Sequence, residues 1–463
     1  MIRHFCAYGF LKNQRYFEPF LVLILLGRGL DFLAIGSLVA VRELTVNLVE
    51  VPSGVIADLF GKRGSLMVCF VAYVAAFLTF SLVGASPAGL SLAMALTGLG
   101  DAFRSGSHKA LIFTWLRLQG RADERTEVYG LTRSWSKLGS ALSSLIAAAV
   151  VLATGTLEWL FPLSALPPLL SILNLLAYPR ELEGAGASAG DSGGESGSGA
   201  AEARPGPWRH LMRVLGLAVR DRVARRLLLE SLAFEGFFHA AKDALQPVLK
   251  ALAIGLLVGT AFEGALPEGL DDTRRTALLV GTVYVGLFLL SGYASRRAAR
   301  FAARCGGEDR AGYLSWILLA ALGLGMAAAG GLLPTRPAAV VLVLLFVTLH
   351  ALQNLWRPIL ISRFDAVGDE STQASVLSLE SQFRRLGTAA LAPALGYAID
   401  ALTAARPMSA EGGVVTAVGV TAGLTGLVLA LPALLAGPAR TTRDRPEPGE
   451  DEGPDPTEAA PAG

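Results

Sequence analysis

The chain has 463 residues, 52% of them hydrophobic and 17% charged, with a mean hydropathy of +0.50 and a formal net charge of +2. Apolar segments recur along nearly the whole length, which fits a polytopic helical membrane protein and excludes a soluble multidomain enzyme. The cations are spread among loops, leaving no compact basic domain for nucleic acid, and Cys6, Cys69 and Cys305 have neither disulfide-framework nor metal-ligand spacing.

The opening stretch, MIRHFCAYGFLKNQRYF, has no sustained apolar core before its cations and reads as an amphipathic lead-in, not a cleaved signal peptide. Twelve apolar helices are predicted after it, near 16–36, 38–58, 65–84, 89–116, 127–153, 157–178, 227–256, 275–299, 311–333, 337–362, 372–400 and 412–436. Loops alternating to one side hold Arg3, Lys12 and Arg15, then Lys62 and Arg63, Arg117, Arg121 and Arg125, Arg180 and seven more arginines up to Arg226, Arg296, Arg297, Arg300, Arg304 and Arg310, Arg363, and Arg440, Arg443 and Arg445. The other side holds only Arg42, Arg274, Arg275, Arg336 and Arg406. By the positive-inside rule both termini and the central loop are cytoplasmic, in a multi-pass protein of the inner (plasma) membrane.

Between the second and third helices, residues 50–63 read EVPSGVIADLFGKR. A turn this tight suits glycines, which allow close backbone approach and positive φ, and cations kept at the cytoplasmic side. Gly54, Asp58, Gly61, Lys62 and Arg63 match the pattern G-x-x-x-D-x-x-G-[RK]-[RK] without a gap. The stretch resembles the signature loop between helices 2 and 3 of the major facilitator superfamily, and the resemblance extends over residues 16–437. It implies an all-α fold of twelve transmembrane helices in two pseudo-symmetric six-helix halves, working by alternating access. It also implies that Asp58 meets the start of the eleventh helix across the halves when the cytoplasmic side is closed; the alternative is a local pair with Lys62 or Arg63. The matching turn of the second half, GYASRRAARFAARCG, keeps Gly292 but has Arg296 in place of the acid.

On this reading residues 1–178 form the N-terminal half, 179–226 a cytoplasmic linker, 227–437 the C-terminal half and 438–463 a disordered acidic tail. Residues 181–207 are rich in Gly, Ser and Ala and too poor in apolar residues to fold. Trp208, Leu211, Leu215 and Val219 then recur at helical spacing opposite arginines, as on a helix lying at the membrane surface or extending the seventh span.

Charge is expensive inside a bilayer, so ionisable residues within the spans mark a working surface. The fourth helix carries Asp101, Arg104 and His108, the seventh Glu235, His239, Lys242 and Gln246, the tenth His350, Gln353 or Asn354, and Arg357, and the first Arg28 and Asp31. Each set keeps to one helical face, and each lies on the helix that begins a triplet, which in the superfamily lines the central cavity. Arg28 with Asp31, and Asp101 with Arg104, read equally well as structural ion pairs, and His239 and His350 as proton carriers or as satisfied core groups. Glu235, about two turns into its helix among apolar residues, is the sharper candidate for gaining and losing a proton; a carboxylate reaching back to Arg225 or Arg226 is the alternative. Glu43, Arg133, Lys137, Glu380 and Arg384 have no assigned place.

These features point to a secondary active transporter whose partners are a small-molecule substrate, protons and the lipid bilayer, with no cofactor and no metal. The signature loop and the eleventh helix look like those of a bacterial drug-exporter-like branch, which implies proton-coupled export. The fifth helix, YGLTRSWSKLGSALSSLIAAAVV, lacks the glycine- and proline-rich antiporter signature. An organic-anion uniporter or symporter, favoured by Arg28, Arg104, Lys109, Lys242 and Arg357, is the alternative, and a non-transporting membrane sensor or scaffold is the alternative of another class. No nucleophile beside a base, metal-ligand spacing or phosphate loop suggests an enzyme.

Overall fold

A computed structural model describes residues 1–179, 182, 216, 221–256, 270–330, 336–365, 373–405 and 410–436. The expected linker at 183–207, all of the expected surface helix except residue 216, and the tail beyond 437 lie outside the described residues. Those described form twelve helical rods and no strand. Eight rods contain a continuous stretch long and apolar enough to cross a bilayer. They are α2 (Phe32–Phe60), α3 (Lys62–Leu82), α5 (Arg125–Thr154), α8 (Asp272–Arg304), α9 (Glu308–Gly330), α10 (Arg336–Asp365), α11 (Gln373–Ala405) and α12 (Ala410–Ala436).

The other four rods are interrupted. Rod α1 joins Ile2–Leu11, a 3-10 turn Glu18–Phe20 and Leu21–Gly27; α4 joins Pro87–Arg104 to Ser107–Leu118; α6 joins Leu160–Ser164 to Leu166–Leu176. Rod α7 runs from Arg222–Glu230 through a π turn Ser231–Glu235, Gly236–Ala241 and a 3-10 turn Lys242–Ala244 into Leu245–Leu256. The break in α4 sits at Gly106, whose φ of 70° strains any residue with a Cβ. Three of the interrupted rods, α1, α4 and α7, begin triplets. Interrupted backbone is tolerated at membrane depth only where protein or a polar cavity surrounds it.

The first two rods depart from the expected boundaries. The chain turns at Gly29 (φ 85°), and Asp31 caps α2 by accepting from Ala34 N at 2.7 Å, well before residue 37. Residues expected to be a lead-in instead form the first piece of α1, with Phe5, Cys6 and Tyr8 buried and the helix packed on α5 and α6. Lys12 and Arg15 interrupt the apolar run, yet they face the protein interior and not lipid, so hydropathy misplaces the span. Arg42, expected in a loop, consequently lies partway along α2.

Within each half the rods pack through small residues, as association in lipid requires. A Cβ on Gly323 of α9 would lie under 3.0 Å from backbone atoms of Gly419 and Gly423 on α12, whereas one on the neighbouring Gly325 would meet nothing within 4 Å. Gly323→Ile should therefore abolish recovery of monodisperse protein in detergent while Gly325→Ile is recovered normally; equal yields would refute this packing role. The outer surface is apolar, with Leu82, Leu173, Leu289 and Val428 between 61% and 85% exposed.

Candidate functional site

The end of the bundle where α6 finishes and α7 begins is termed the linker face, and the opposite end the far face. Between the halves lie two adjoining chambers of about 360 and 590 Å³ that share Lys12, Asn13, Arg104, Lys137, Ser140 and Phe288. The deeper one reaches Glu18, Arg42, Lys242, Asp243, Tyr284 and His350. The other extends past Tyr8, Lys109, Tyr129 and Arg133 toward the linker face.

Asp101 of α4 is the hub of the N-terminal half. Its Oδ1 accepts from Arg15 at 3.0 Å, the Tyr73 hydroxyl at 2.5 Å and Arg104 at 3.3 Å, and its Oδ2 accepts from Arg42 Nε at 3.0 Å and Nη2 at 2.7 Å. Arg104 Nε also donates to the Tyr73 hydroxyl at 3.0 Å, and the Arg15 guanidinium lies 4.4 Å above the Tyr73 ring. One carboxylate, 3% exposed, thus ties α1, α2, α3 and α4 together against three guanidinium groups. Gly100 leaves room for the tyrosine, since a Cβ there would stand 2.5 Å from its ring. Tyr73 lies on the third helix, which carries no charge in its span; its lone buried hydroxyl, which needs a partner, was the available signal. His108 does not continue this face. Past the break at Gly106 it stacks on Tyr8 with centroids 3.5 Å apart and lies 3.2 Å from the Tyr178 hydroxyl, packed between α1, α4 and α6 at the chamber wall.

In the C-terminal half Glu235 closes the π turn and is fully buried. It accepts from Gln353 at 3.1 and 3.4 Å, with His239 at 3.8 Å and Arg357 at 3.9 Å. Arg357 makes a two-pronged contact with Glu380 of α11, and the Ser231 hydroxyl donates to the same carboxylate at 2.6 Å. The π turn brings Ser231 and Glu235 to one acidic, arginine-bridged site, a use such bulges often serve. His350, Asn354 and Lys242 line the deeper chamber, with Lys242 paired to Asp243 at 3.2 Å. His239 instead also borders a small apolar pocket with Leu21, Phe32 and Gly396.

Arg28 and Asp31 are not part of the cavity. Arg28 donates to Phe80 O at 2.9 Å and Gly84 O at 3.0 Å, at the end of α3, and pairs with Glu158 at 3.0 Å. With Asp31 capping α2, both serve helix ends at the far face, because α1 ends at Gly27 and α2 begins at Phe32, which leaves both in the turn. In the signature loop Gly61 has φ 90°, as the turn demands, and Arg63 donates to Leu176 O at 3.3 Å and Tyr178 O at 3.2 Å, at the end of α6. Lys62 starts α3, half-buried. A Cβ on Gly54 would meet nothing within 4 Å, so no close approach is made there. The Asp58 side chain and residues 366–372 preceding α11 lie outside the described residues.

The halves meet along α2 with α11 and along α5 with α8. Glu43 pairs with Arg385 at 3.0 Å, Glu50 lies 4.0 Å from the same guanidinium, and Asn47 donates to Gln382 O at 2.9 Å. At the far face Asp400 of α11 accepts from Phe32 N at 3.2 Å and Leu33 N at 2.8 Å, the first N–H groups of α2. Arg274 of α8 donates to Leu152 O at 2.8 Å near the end of α5. An acid at a helix start and a cation at a helix end both complement the macrodipole. Gly36 and Gly396 bring the backbones of α2 and α11 into contact there, since a Cβ on either would lie under 3.0 Å from the other helix. At the far face the two halves are therefore joined along both of these seams.

The profile of the Major Facilitator Superfamily matches residues 5–392. An uncharacterized MFS-type transporter, YxaM of Bacillus subtilis, is 36% identical over 100 residues, a match spanning 22% of this chain and 24% of that relative. A variant of the nucleoside transporter NupG superposes with a TM-score of 0.72 over 94% of this chain and 99% of its own, at 14% identity. The peptide transporter POT gives 0.61 over 94% of each chain at 14% identity, and a D-xylose-proton symporter 0.59 over 92% and 95% at 13%. The chain belongs to the Major Facilitator Superfamily, as a twelve-helix membrane transporter and not an enzyme.

Proposed function

We propose that the protein is a proton-coupled secondary transporter that moves a small molecule by alternating access, seen here with its cavity directed to the linker face, which we take as cytoplasmic. The observation that carries this reading is the asymmetry of the seam. On the far side two helix-end contacts and paired glycines join the halves, while the chambers between them extend the other way. Glu235 is the proton carrier on this reading. It is buried and held by Gln353, and Arg357 lies within reach of both it and Glu380. Protonating Glu235 would leave Arg357 to Glu380, and ionising it would draw the guanidinium back, linking the proton to the α7, α10 and α11 packing.

Export in exchange for protons is supported by the exporter-like signature loop. In proteoliposomes an acidic lumen should then drive solute accumulation, whereas symport requires the opposite gradient. Glu235→Gln should abolish gradient-driven accumulation and spare counterflow at equal pH. Retained pH-driven accumulation in that variant would place the proton elsewhere.

A further inference from the structure

The deeper chamber is lined by six cations, Lys12, Arg15, Arg42, Arg104, Lys137 and Lys242, against the carboxylates Glu18, Asp243 and, behind the arginines, Asp101. Among the described residues Lys12 and Lys137 are in no ion pair; Lys12 only overlies the Tyr8 ring at 5.6 Å. Excess positive charge in a cavity walled by apolar helices is costly, because protein and lipid screen it far less than water does. Residues that keep such a charge need a mobile counter-charge. The chamber also holds Ser143, whose hydroxyl is buried, with the residue 3% exposed, and lacks a hydrogen-bond partner. An unmet buried hydroxyl is expensive unless a ligand completes it. The opposite wall is different in kind. Tyr284, His350 and Asn354 offer neutral polar groups beside Lys242 and Asp243.

We infer that the substrate is a small organic anion bearing two or more negative charges, such as a phosphate monoester or a polycarboxylate. Its anionic end lies among Lys12, Arg15, Arg104 and Lys137, with Ser143 donating, and its uncharged end faces Tyr284, His350 and Asn354. This rests on the transporter reading and names its substrate class. Such a ligand offsets the surplus charge and bridges the two halves, since Lys12 and Lys137 belong to one and Tyr284, His350 and Asn354 to the other. It would therefore bind most tightly when the halves close around it, which is the differential affinity that alternating access needs.

The test uses the purified full chain in detergent, melted at constant ionic strength with a hexose phosphate, a tricarboxylate, inorganic phosphate, the parent hexose and a quaternary ammonium. At least one organic anion should raise the melting temperature, as a ligand selective for the folded state must. The hexose and the ammonium should not. Lys12→Gln and Lys137→Gln should each weaken that anion by about 10-fold or more, the cost of one charged hydrogen bond, and Lys137→Arg should largely retain it. Stabilisation by the hexose or the ammonium, no response to any anion, or unchanged affinity in both glutamine variants would overturn the inference. Inorganic phosphate binding as tightly as the hexose phosphate would overturn the assignment to an organic anion. Binding and flux separate the two readings. Anion binding without flux in proteoliposomes would sink the transporter reading alone, and flux of a neutral solute would sink the anion reading alone.

Discussion

Asp101→Asn is expected to be the most damaging single substitution in the N-terminal half. The carboxylate holds Arg15, Arg42 and Arg104 at 3.0, 2.7 and 3.3 Å and is itself almost completely enclosed. Removing one partner of a buried ion pair costs about 3–5 kcal/mol, because the remaining charge is left without compensation. Here three cations would repel one another around an enclosed position that no longer carries a negative charge. The amide keeps the shape of the side chain, so the loss isolates charge from packing. Thermal unfolding followed by size-exclusion chromatography should show little or no intact Asp101→Asn protein at temperatures where the parent survives. Adding Arg15→Gln and Arg42→Gln to Asp101→Asn should restore much of the loss, since the uncompensated charge goes with them. A melting curve for Asp101→Asn that overlays the parent would show the cluster to be energetically idle.

Gly396→Leu should stop transport without unfolding the protein. Any Cβ at this position would lie under 3.0 Å from the backbone of Phe32 and Leu33, so the far face cannot close around a leucine. Open seams have no such constraint, and the variant should collect in the state open to the far side. Overpacking a close contact costs about 1–3 kcal/mol and occasionally more, enough to shift the balance between the two states roughly 5- to 150-fold. Val22→Cys, buried beside this seam, should become reactive to an impermeant reagent applied from the far side, while Lys137→Cys becomes protected from the linker side. Asp400→Asn should act in the same direction more weakly, since a charge-to-helix-end contact is worth about 0.3–2 kcal/mol, or roughly two- to thirty-fold in population. Wild-type flux in Gly396→Leu would refute the seam as a gate. The acid-to-helix-start contact that the signature loop implies for Asp58 and α11 thus has a counterpart at the opposite face in Asp400 and α2.

Several sites were legible only in part. Asp101, Arg104, Lys242, His350 and Asn354 stood out as charges or polar groups within apolar spans, and they do border the chambers. Glu235 and Arg357 stood out in the same way and meet one another near Glu380, through a π turn that no periodicity announces. From the sequence Arg15 and Arg42 look like loop cations, because a hydropathy window treats any charge as the edge of a span.

The sequence by itself determined the class, the number of spans and the tight turn after α2. These follow from quantities local to the chain, namely apolar length against bilayer thickness and the backbone freedom of a glycine such as Gly61. Tertiary structure alone decided the partners. Arg15 and Asp101 are 86 positions apart, Glu43 and Arg385 are 342, and Leu33 and Asp400 are 367. A contact between two helices leaves no periodic mark on either, so which charge meets which was set only when the twelve rods packed and the cavity placed some cations inward and others at helix ends.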